Sequence, residues 1–451
     1  MKARYPLSLS LFFFVAAAVV ADGTNVPRGY RIERETYEID GRTREKSVRA
    51  RVGSAEGMTF STREELEAFA AARAQKLENL RAFKKSSVVI GIPPGNEATD
   101  EGLVPAEMVT RIEDGPKFIP IPYAFYNSND GFMSGVIANA PNLSGTLENL
   151  TAIGLYTAPP GDGNDLQWAD PNFTLIAALG GIITGPLEFG LSAGAMRMNE
   201  KIVDRGEKMA EFSDPKGFVG ASVSWDIAER VKNTVKVRVL GSPSNTLALV
   251  EDPRYLAYGP FDWSVDGEES VTRDAIDWKE NFREGSKATI RVKYAIAQPS
   301  YDELAKTLSG GAEYARFFRV GDRFNPSFRV GTEANSGDPD LKIGRNVRGI
   351  RNASIKGNAD AYANLSVQTS LFRVGHAEFH FSPVADAIVA YVPDDPDYEW
   401  DCGIAAGGEL LVFLDSVKSL PIKLGFAYDF RPDNRVNDDR FEIDFNFAVT
   451  Y

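Results

Sequence analysis

From about residue 118 to its end the chain is a succession of short segments in which apolar and polar residues alternate, and nowhere does it offer an apolar run long enough for a membrane helix. The last segment shows the pattern most cleanly. Phe441, Ile443, Phe445, Phe447, Val449 and Tyr451 fall on one face of a strand, and Glu442, Asp444, Asn446 and Thr450 fall on the other. Further segments of this kind include Phe132 to Ala138, Thr146 to Tyr156, Phe173 to Ile183, Phe218 to Ile227, Thr234 to Leu240, Ala288 to Ala297, Ala361 to Phe372 and Ile422 to Phe430, separated by Asp, Asn, Gly and Pro as turns require. An apolar stripe on every second residue suits a sheet with lipid outside and a polar interior, and a terminal aromatic suits an interfacial girdle and an insertion signal. The other reading of the last segment is a core strand of a soluble sandwich.

Composition is compatible with a barrel. Glycine (40 residues) and aromatics (11%) are plentiful while mean hydropathy is only −0.23, because a barrel needs apolar residues on one face alone. A spanning strand takes about 9–11 residues, so sixteen strands would use about half of the stretch from 118 onward, with 241 to 287 hard to phase. The N-terminus adds an export expectation. Lys2 and Arg4 precede an apolar run from Leu7 to Val20, and Val19-Val20-Ala21 resembles a cleavage site, giving a signal peptide over 1–21.

Residues 22–115 differ in texture. Tyr37-Glu38-Ile39-Asp40-Gly41 alternates and turns at the glycine, and Glu45 to Val52 reads as a short helix. Ser61 and Glu64 have capping-box spacing, and Leu66, Phe69, Ala70, Leu77, Leu80 and Phe83 continue at helical spacing, which predicts a helix from about Thr62 to Phe83. Val88 to Ile90 and Met108 to Ile112 follow as strands. The stretch Phe118-Ile119-Pro120-Ile121-Pro122-Tyr123 reads as a stiff linker, since proline cannot donate to a ladder. This order of elements resembles a POTRA domain; a small α+β domain of another kind is the alternative.

Several function classes are excluded. A net charge of −13 argues against nucleic acid as a partner. Cys402 is the single cysteine and forms no internal disulfide. His376 and His380, separated by three residues in a strand-like segment, fall on one face and read as solvated residues; no metal site, cofactor or enzymatic motif is expected.

A POTRA-like domain followed by a barrel of this size resembles the BamA/TamA superfamily of outer-membrane assembly and secretion factors. In that family a loop folds into the barrel lumen and carries Val-Arg-Gly followed by an aromatic, and Val347-Arg348-Gly349-Ile350 stands at the corresponding distance from the C-terminus, with Ile350 replacing the aromatic. The resemblance implies a lumenal Arg348 paired with an aspartate, for which Asp386 in Val384-Ala385-Asp386-Ala387-Ile388 holds the matching position. Without the resemblance, Arg348 reads as a solvated loop residue. The family's Asn-x-Glu-x-Arg strand survives only as Asn364-Leu365-Ser366-Val367-Gln368, so a thinner lumen network is expected.

The combined expectation is a mainly β protein: a signal peptide (1–21), a POTRA-like periplasmic domain (22–115) and an outer-membrane antiparallel barrel of about sixteen strands (116–451). The resemblance implies assembly, insertion or translocation of client polypeptides by strand addition at the seam between the strand at about 130–142 and the last one. Its partners would be membrane lipid, client chains and periplasmic accessory proteins bound through the POTRA-like domain. A two-partner secretion pore and a passive porin-like barrel are the alternatives.

Overall fold

The computed structural model describes residues 29–93, 102–127, 131–158, 172–204, 207–242, 246–250, 261–300, 303–337, 340, 343–350, 355–393, 399–414, 417–431 and 441–446. The N-terminal part is a small α+β region. It consists of β1 (Gly29–Asp40), α1 (Glu45–Val52), β2 (Thr59–Phe60), α2 (Arg63–Asn79), β3 (Phe83–Gly91) and β4 (Leu103–Asp114), with its four strands in the order β2-β1-β4-β3. Packing divides the chain into two compact units, one of Met1–Thr36, Ala55–Ala70 and Val89–Val109, the other of Tyr37–Ser54, Ala71–Val88 and Thr110–Tyr451.

In the first unit Ile32, Leu66, Ala106 and Met108 are fully buried, and Phe60 packs on Phe69 with ring centroids 5.2 Å apart. The cap of α2 lies one residue later than the Ser61/Glu64 spacing suggests: Thr62 Oγ1 accepts the Glu65 N–H at 3.2 Å, and the Glu65 carboxylate accepts the Ser61 N–H at 2.9 Å. The helix also ends early, at Asn79. Arg81 adopts φ 53°, and Phe83 opens β3 instead of extending the helical stripe.

The second unit holds the barrel. Its strands are β5 (Ile119–Asn127), β6 (Gly131–Ala140), β7 (Asn149–Ala158), β8 (Asn172–Thr184), β9 (Leu187–Asp204), β10 (Glu207–Ala228), β11 (Val231–Gly241), β12 (Thr246–Val250), β13 (Phe261–Lys279), β14 (Phe282–Pro299), β15 (Ala305–Phe317), β16 (Phe324–Asn335), β17 (Ala359–Val374), β18 (Ala377–Tyr391), β19 (Trp400–Leu414), β20 (Val417–Asp429) and β21 (Phe441–Asn446). Neighbours pair antiparallel, and the order returns from β21 to β5 as a closed barrel. β12 is a five-residue addition beside β10, while β11 pairs directly with β13, so sixteen staves form the wall among the described residues. Of the stretch from 241 to 287, the described residues thus fall on the end of β11, β12, β13 and the start of β14.

One sequence expectation is corrected at the start of the barrel. Ile119 to Asn127 is a strand, paired in unbroken register with β6 from Ile119↔Asn139 to Asn127↔Gly131. Pro120 and Pro122 are two apart, so both missing donors lie on one edge of β5, and its other ladder keeps every N–H. The seam therefore runs between β5 and β21, one strand earlier than the strand at 130–142.

Connections differ between the two ends of the wall. At the end where β5 begins, turns such as Gly185-Pro186, Glu229-Arg230 and Gly375-His376 are tight; at the other end the chain runs for as many as about twenty residues between β16 and β17. Outward residues are apolar in every quarter of the ring, including Val136, Leu175, Val219, Ile290, Leu308, Leu365, Ile404 and Phe426, all well exposed. Among the described residues no helix is long and apolar enough to cross a membrane. A ladder closed on itself behind an apolar exterior resists mild detergent, so unboiled protein is expected to migrate differently from boiled protein on a gel. Identical mobility before and after boiling would contradict the closed wall.

Candidate functional site

Alternation along β17 and β18 sends Asp360, Tyr362, Asn364, Ser366 and Gln368, and Ser382, Val384, Asp386, Ile388 and Ala390, to the inner face. Onto this face folds the connection between β16 and β17. Its neck is pinned by reciprocal backbone bonds between Asp340 and Gly357, at 2.8 and 3.1 Å, and its tip is a 3-10 turn, Ile343–Asn346, followed by Val347 to Ile350. Asn364 Nδ2 donates to the carbonyl of Asn346 at 3.2 Å, holding the turn to the wall.

Arg348 meets Asp386 through three bonds. Its Nη2 donates to Oδ1 at 2.6 Å, its Nε to Oδ2 at 2.9 Å, and its backbone N–H to Oδ2 at 2.7 Å. The fork is the bidentate geometry that lysine cannot reproduce. Nη2 also donates to the Leu365 carbonyl at 3.2 Å, and Nη1 lies 3.5 Å from Glu409, which Lys423 approaches at 3.5 Å from the other side. Asp386 is almost wholly buried, with its side chain 1% exposed against 20% for Arg348, so the carboxylate depends on this partner.

The neighbouring motif positions explain how the loop can lie so close. Gly349 has φ 82°, and a Cβ there would stand 2.6 Å from the Ala427 Cβ and 3.0 Å from the Ala405 Cβ. Ile350, fully buried, packs in a cluster with Ile343, Val347, Ile355, Tyr362, Ile388, Ala390 and Ala405. Room for it comes from Gly403 on β19, where a Cβ would be 2.3 Å from Ile350 Cδ1. A branched aliphatic chain thus fills the position after Gly349.

The interior is richer in charge than Asn364 and Gln368 on β17 suggest, because other strands carry charged pairs. Lys236 donates to Glu268 at 3.0 Å, Arg238 to Asp266 at 3.0 Å, and Arg291 pairs with Glu333. Arg345 bridges Asp340 at 2.8 Å and Glu333 at 3.7 Å, while Arg329 and the Tyr362 hydroxyl both donate to Glu313, at 2.8 and 2.9 Å. His380 is also corrected. It is fully buried between Phe282 and Phe413, with Nδ1 2.7 Å from Gln368 Nε2 and Nε2 2.8 Å from Glu378, whereas His376 lies in the turn before β18 and shares no strand face with it. No group of three or more metal-ligating side chains occurs among the described residues.

A second contact zone was not legible in the sequence. The end of α2 is fastened to the β13–β14 turn: Gln75 Nε2 donates to the Trp278 carbonyl at 3.1 Å, Asn79 Nδ2 to Asp277 at 3.0 Å, and the Arg81 guanidinium lies 4.4 Å from the Trp278 ring centroid. Burial lowers the pKa of Arg81, with Glu78 acting in the opposite sense. Arg51 reaches the β8–β9 turn, donating to the Gly181 carbonyl at 3.0 Å and pairing with Glu188 at 3.2 Å, and Leu147 joins the core formed by Val48, Leu77, Ala82 and Ile112.

At the C-terminus, the register Tyr428↔Phe441, Phe426↔Ile443 and Leu424↔Phe445 aligns the terminal stripe with outward positions of β20, and Ile443 is exposed. Phe447, Val449 and Tyr451 lie outside the described residues.

With this geometry the chain superposes on several solved structures. CdiB from Acinetobacter baumannii matches with a TM-score of 0.57 at 13% identity, covering 93% of this chain and 74% of that one. CdiB from Escherichia coli matches with a TM-score of 0.53 at 11% identity over 96% and 93% of the two chains. BamA from Haemophilus ducreyi lacking POTRA domains 1–3 matches with a TM-score of 0.51 at 11% identity over 93% and 84%. The chain has the BamA/CdiB fold. No family model and no curated protein sequence matches it, so the likeness lies in the backbone course and not in sequence identity. What this BamA/CdiB-type barrel adds is the residue detail of its in-folded loop.

Arg348→Ala is expected to release the loop tip, at a cost of about 1–3 kcal/mol for the lost charged bonds, making residues around 340–357 protease-sensitive while the wall keeps its heat-dependent mobility. Arg348→Lys should restore little of the protection. Asp386→Ala removes the acceptor of the backbone N–H as well and should expose the loop at least as far, with the double variant no worse than Asp386→Ala alone. Strictly additive losses of protection would show that the two residues act independently.

Proposed function

We propose that this protein is an outer-membrane factor of the BamA/TamA superfamily that assembles, inserts or translocates client polypeptides, with residues 22–115 acting as a POTRA-like periplasmic domain and residues 116–451 as the membrane barrel. One observation carries the reading: a sixteen-stave barrel of this fold holds a Val347-Arg348-Gly349 loop against its own wall through Asp386. A passive barrel has no need of a loop locked inward by a buried fork. No step of the reading is enzymatic and no cofactor takes part; the work is done by binding.

Strand addition is the physical route. Parting β5 from β21 bares backbone donors and acceptors on both strands, and a client strand with alternating residues can satisfy them. The prolines of β5 bear on where such pairing is strong, since Pro120 and Pro122 remove two donors from one of its edges. Phe441, Ile443, Phe445, Phe447, Val449 and Tyr451 serve in this reading as insertion signal and seam strand, and the sheet of β1 to β4 offers an edge to clients or accessory proteins. Likeness to CdiB supports a second reading within the same fold, a polypeptide secretion pore of the two-partner type.

Cross-linking the seam tests the route. Cysteine pairs between residues 119–125 and 441–446, introduced with Cys402→Ser to remove the exposed thiol on β19, should leave a folded barrel that fails to process clients until reduced. Undiminished activity in quantitatively cross-linked protein would rule out seam opening. Identifying polypeptides trapped at these cysteines separates the two readings, since membrane-barrel clients support assembly and a single exported partner supports the pore.

A further inference from the structure

A carboxylate stands on the outer wall among apolar residues. Glu268 and Glu269 are consecutive on β13, and alternation sends them to opposite faces. Glu268 pairs with Lys236 in the interior, while Glu269 is exposed on the face that also carries Val265 and Val271, each 39% exposed. Across the ladder Glu269 meets Val235 on β11 and Val292 on β14, with Val237 and Ile290 diagonally beside it. It lies near the middle of its strand, eight residues from Phe261 and ten from Lys279.

The wall satisfies this group only in part. Asn233 Nδ2 donates to Glu269 Oε1 at 3.0 Å, but among the described residues no cation pairs with Glu269. Arg273, on the same face of β13, is four residues along with Val271 between. Asn233 is itself only 6% exposed, and its Oδ1 has no donor among the described residues. The pair therefore weakens the wall, since a carboxylate facing acyl chains and a buried acceptor without a donor are both costly. Polar groups that cost stability on an apolar membrane face point to a contact. There is space for one: Gly267 is the next outward residue, and a Cβ there would meet nothing within 4 Å.

Resting on the outer-membrane reading above, we propose that Glu269 anchors a second membrane protein, one that presents an arginine or lysine on its own lipid-facing surface. The cation donates to Oε2 while Asn233 holds Oε1. Charge and depth select this occupant. Val265, Val271, Ile290 and Val292 surround the carboxylate, so a lipid headgroup would have to cross an apolar layer to reach it, whereas a side chain fixed on a membrane-embedded partner arrives at that depth already. Two copies of this chain related by a two-fold axis would bring their own carboxylates together, and like charges repel. The position on the ring fits as well. Counted from β5 with β12 left out, β13 is the eighth of sixteen staves, opposite the seam between β21 and β5. A partner there leaves the two strands of the seam free to part.

The full chain, labelled at the exposed Cys402 and reconstituted in phosphatidylcholine bilayers, provides the test. The probe is a fluorescent transmembrane helix of Leu and Ala with a single Arg at its centre, compared with the same helix carrying Leu there; association is read by energy transfer and barrel folding by gel mobility. The wild-type barrel is expected to bind the Arg helix roughly fivefold or more tightly than the Leu helix, and Glu269→Gln should bring the two to parity. Parity in the wild type, or a preference that Glu269→Gln keeps, overturns the site while leaving the proposed function standing. A preference that vanishes when phosphatidylethanolamine replaces part of the phosphatidylcholine would assign the site to a lipid amine and overturn it as well. If neither Glu269→Gln nor Glu269→Leu gives a folded barrel, the carboxylate serves the wall itself and the proposal falls. A chain that enters no bilayer at all overturns both readings.

Discussion

A sheet whose outer face is apolar cannot leave its edge strands bare, because each unpaired N–H and C=O surrounded by apolar material costs several kcal/mol. Closing β21 against β5 removes both edges at once, and the rest of the barrel follows from that closure. Closure also sets a weak point. The two strands that meet there come from opposite ends of the barrel sequence, so no hairpin turn ties them, and one of them carries Pro120 and Pro122. The contact that completes the wall is the one whose opening the proposed function uses.

Period-2 alternation then obliges the interior to be polar, and a polar interior has to satisfy itself. It does so with ion pairs running across β11 to β16 and with the fork between Arg348 and Asp386. Asp386 is buried deeply enough that an unpaired carboxylate would be costly, which makes the loop and the wall mutually dependent. Glycine at 349 and at 403 is part of the same device, one letting the backbone approach the wall and the other making space for Ile350.

Where sequence reasoning went astray, a partner distant in the chain was responsible. Pro120 and Pro122 read as a linker because proline denies a ladder its donors, yet spacing two apart confines the loss to one edge. His380 read as solvated, but Phe282 and Phe413, each far from it in sequence, close over it. The interior charges looked sparse on β17 because they lie on β11, β13, β14, β15 and β16, which a single-strand motif cannot reveal. Helix α2 was read too long at its end since Leu80 and Phe83 continue the apolar spacing after the backbone has already turned at Arg81.

Local pattern determined the class of structure: strand period, turn chemistry and strand number follow from interactions between residues close in the chain, and so does the direction of every side chain along a strand. The motif around Arg348 and the candidate partner Asp386 could be named from the sequence for the same reason that a family pattern is local. Tertiary structure alone decided which strands bound the seam, which charges meet inside, that Gly403 receives Ile350, and that α2 is fastened to the β13–β14 turn. These depend on distances between residues tens or hundreds of positions apart, and such distances are set only once the wall has closed.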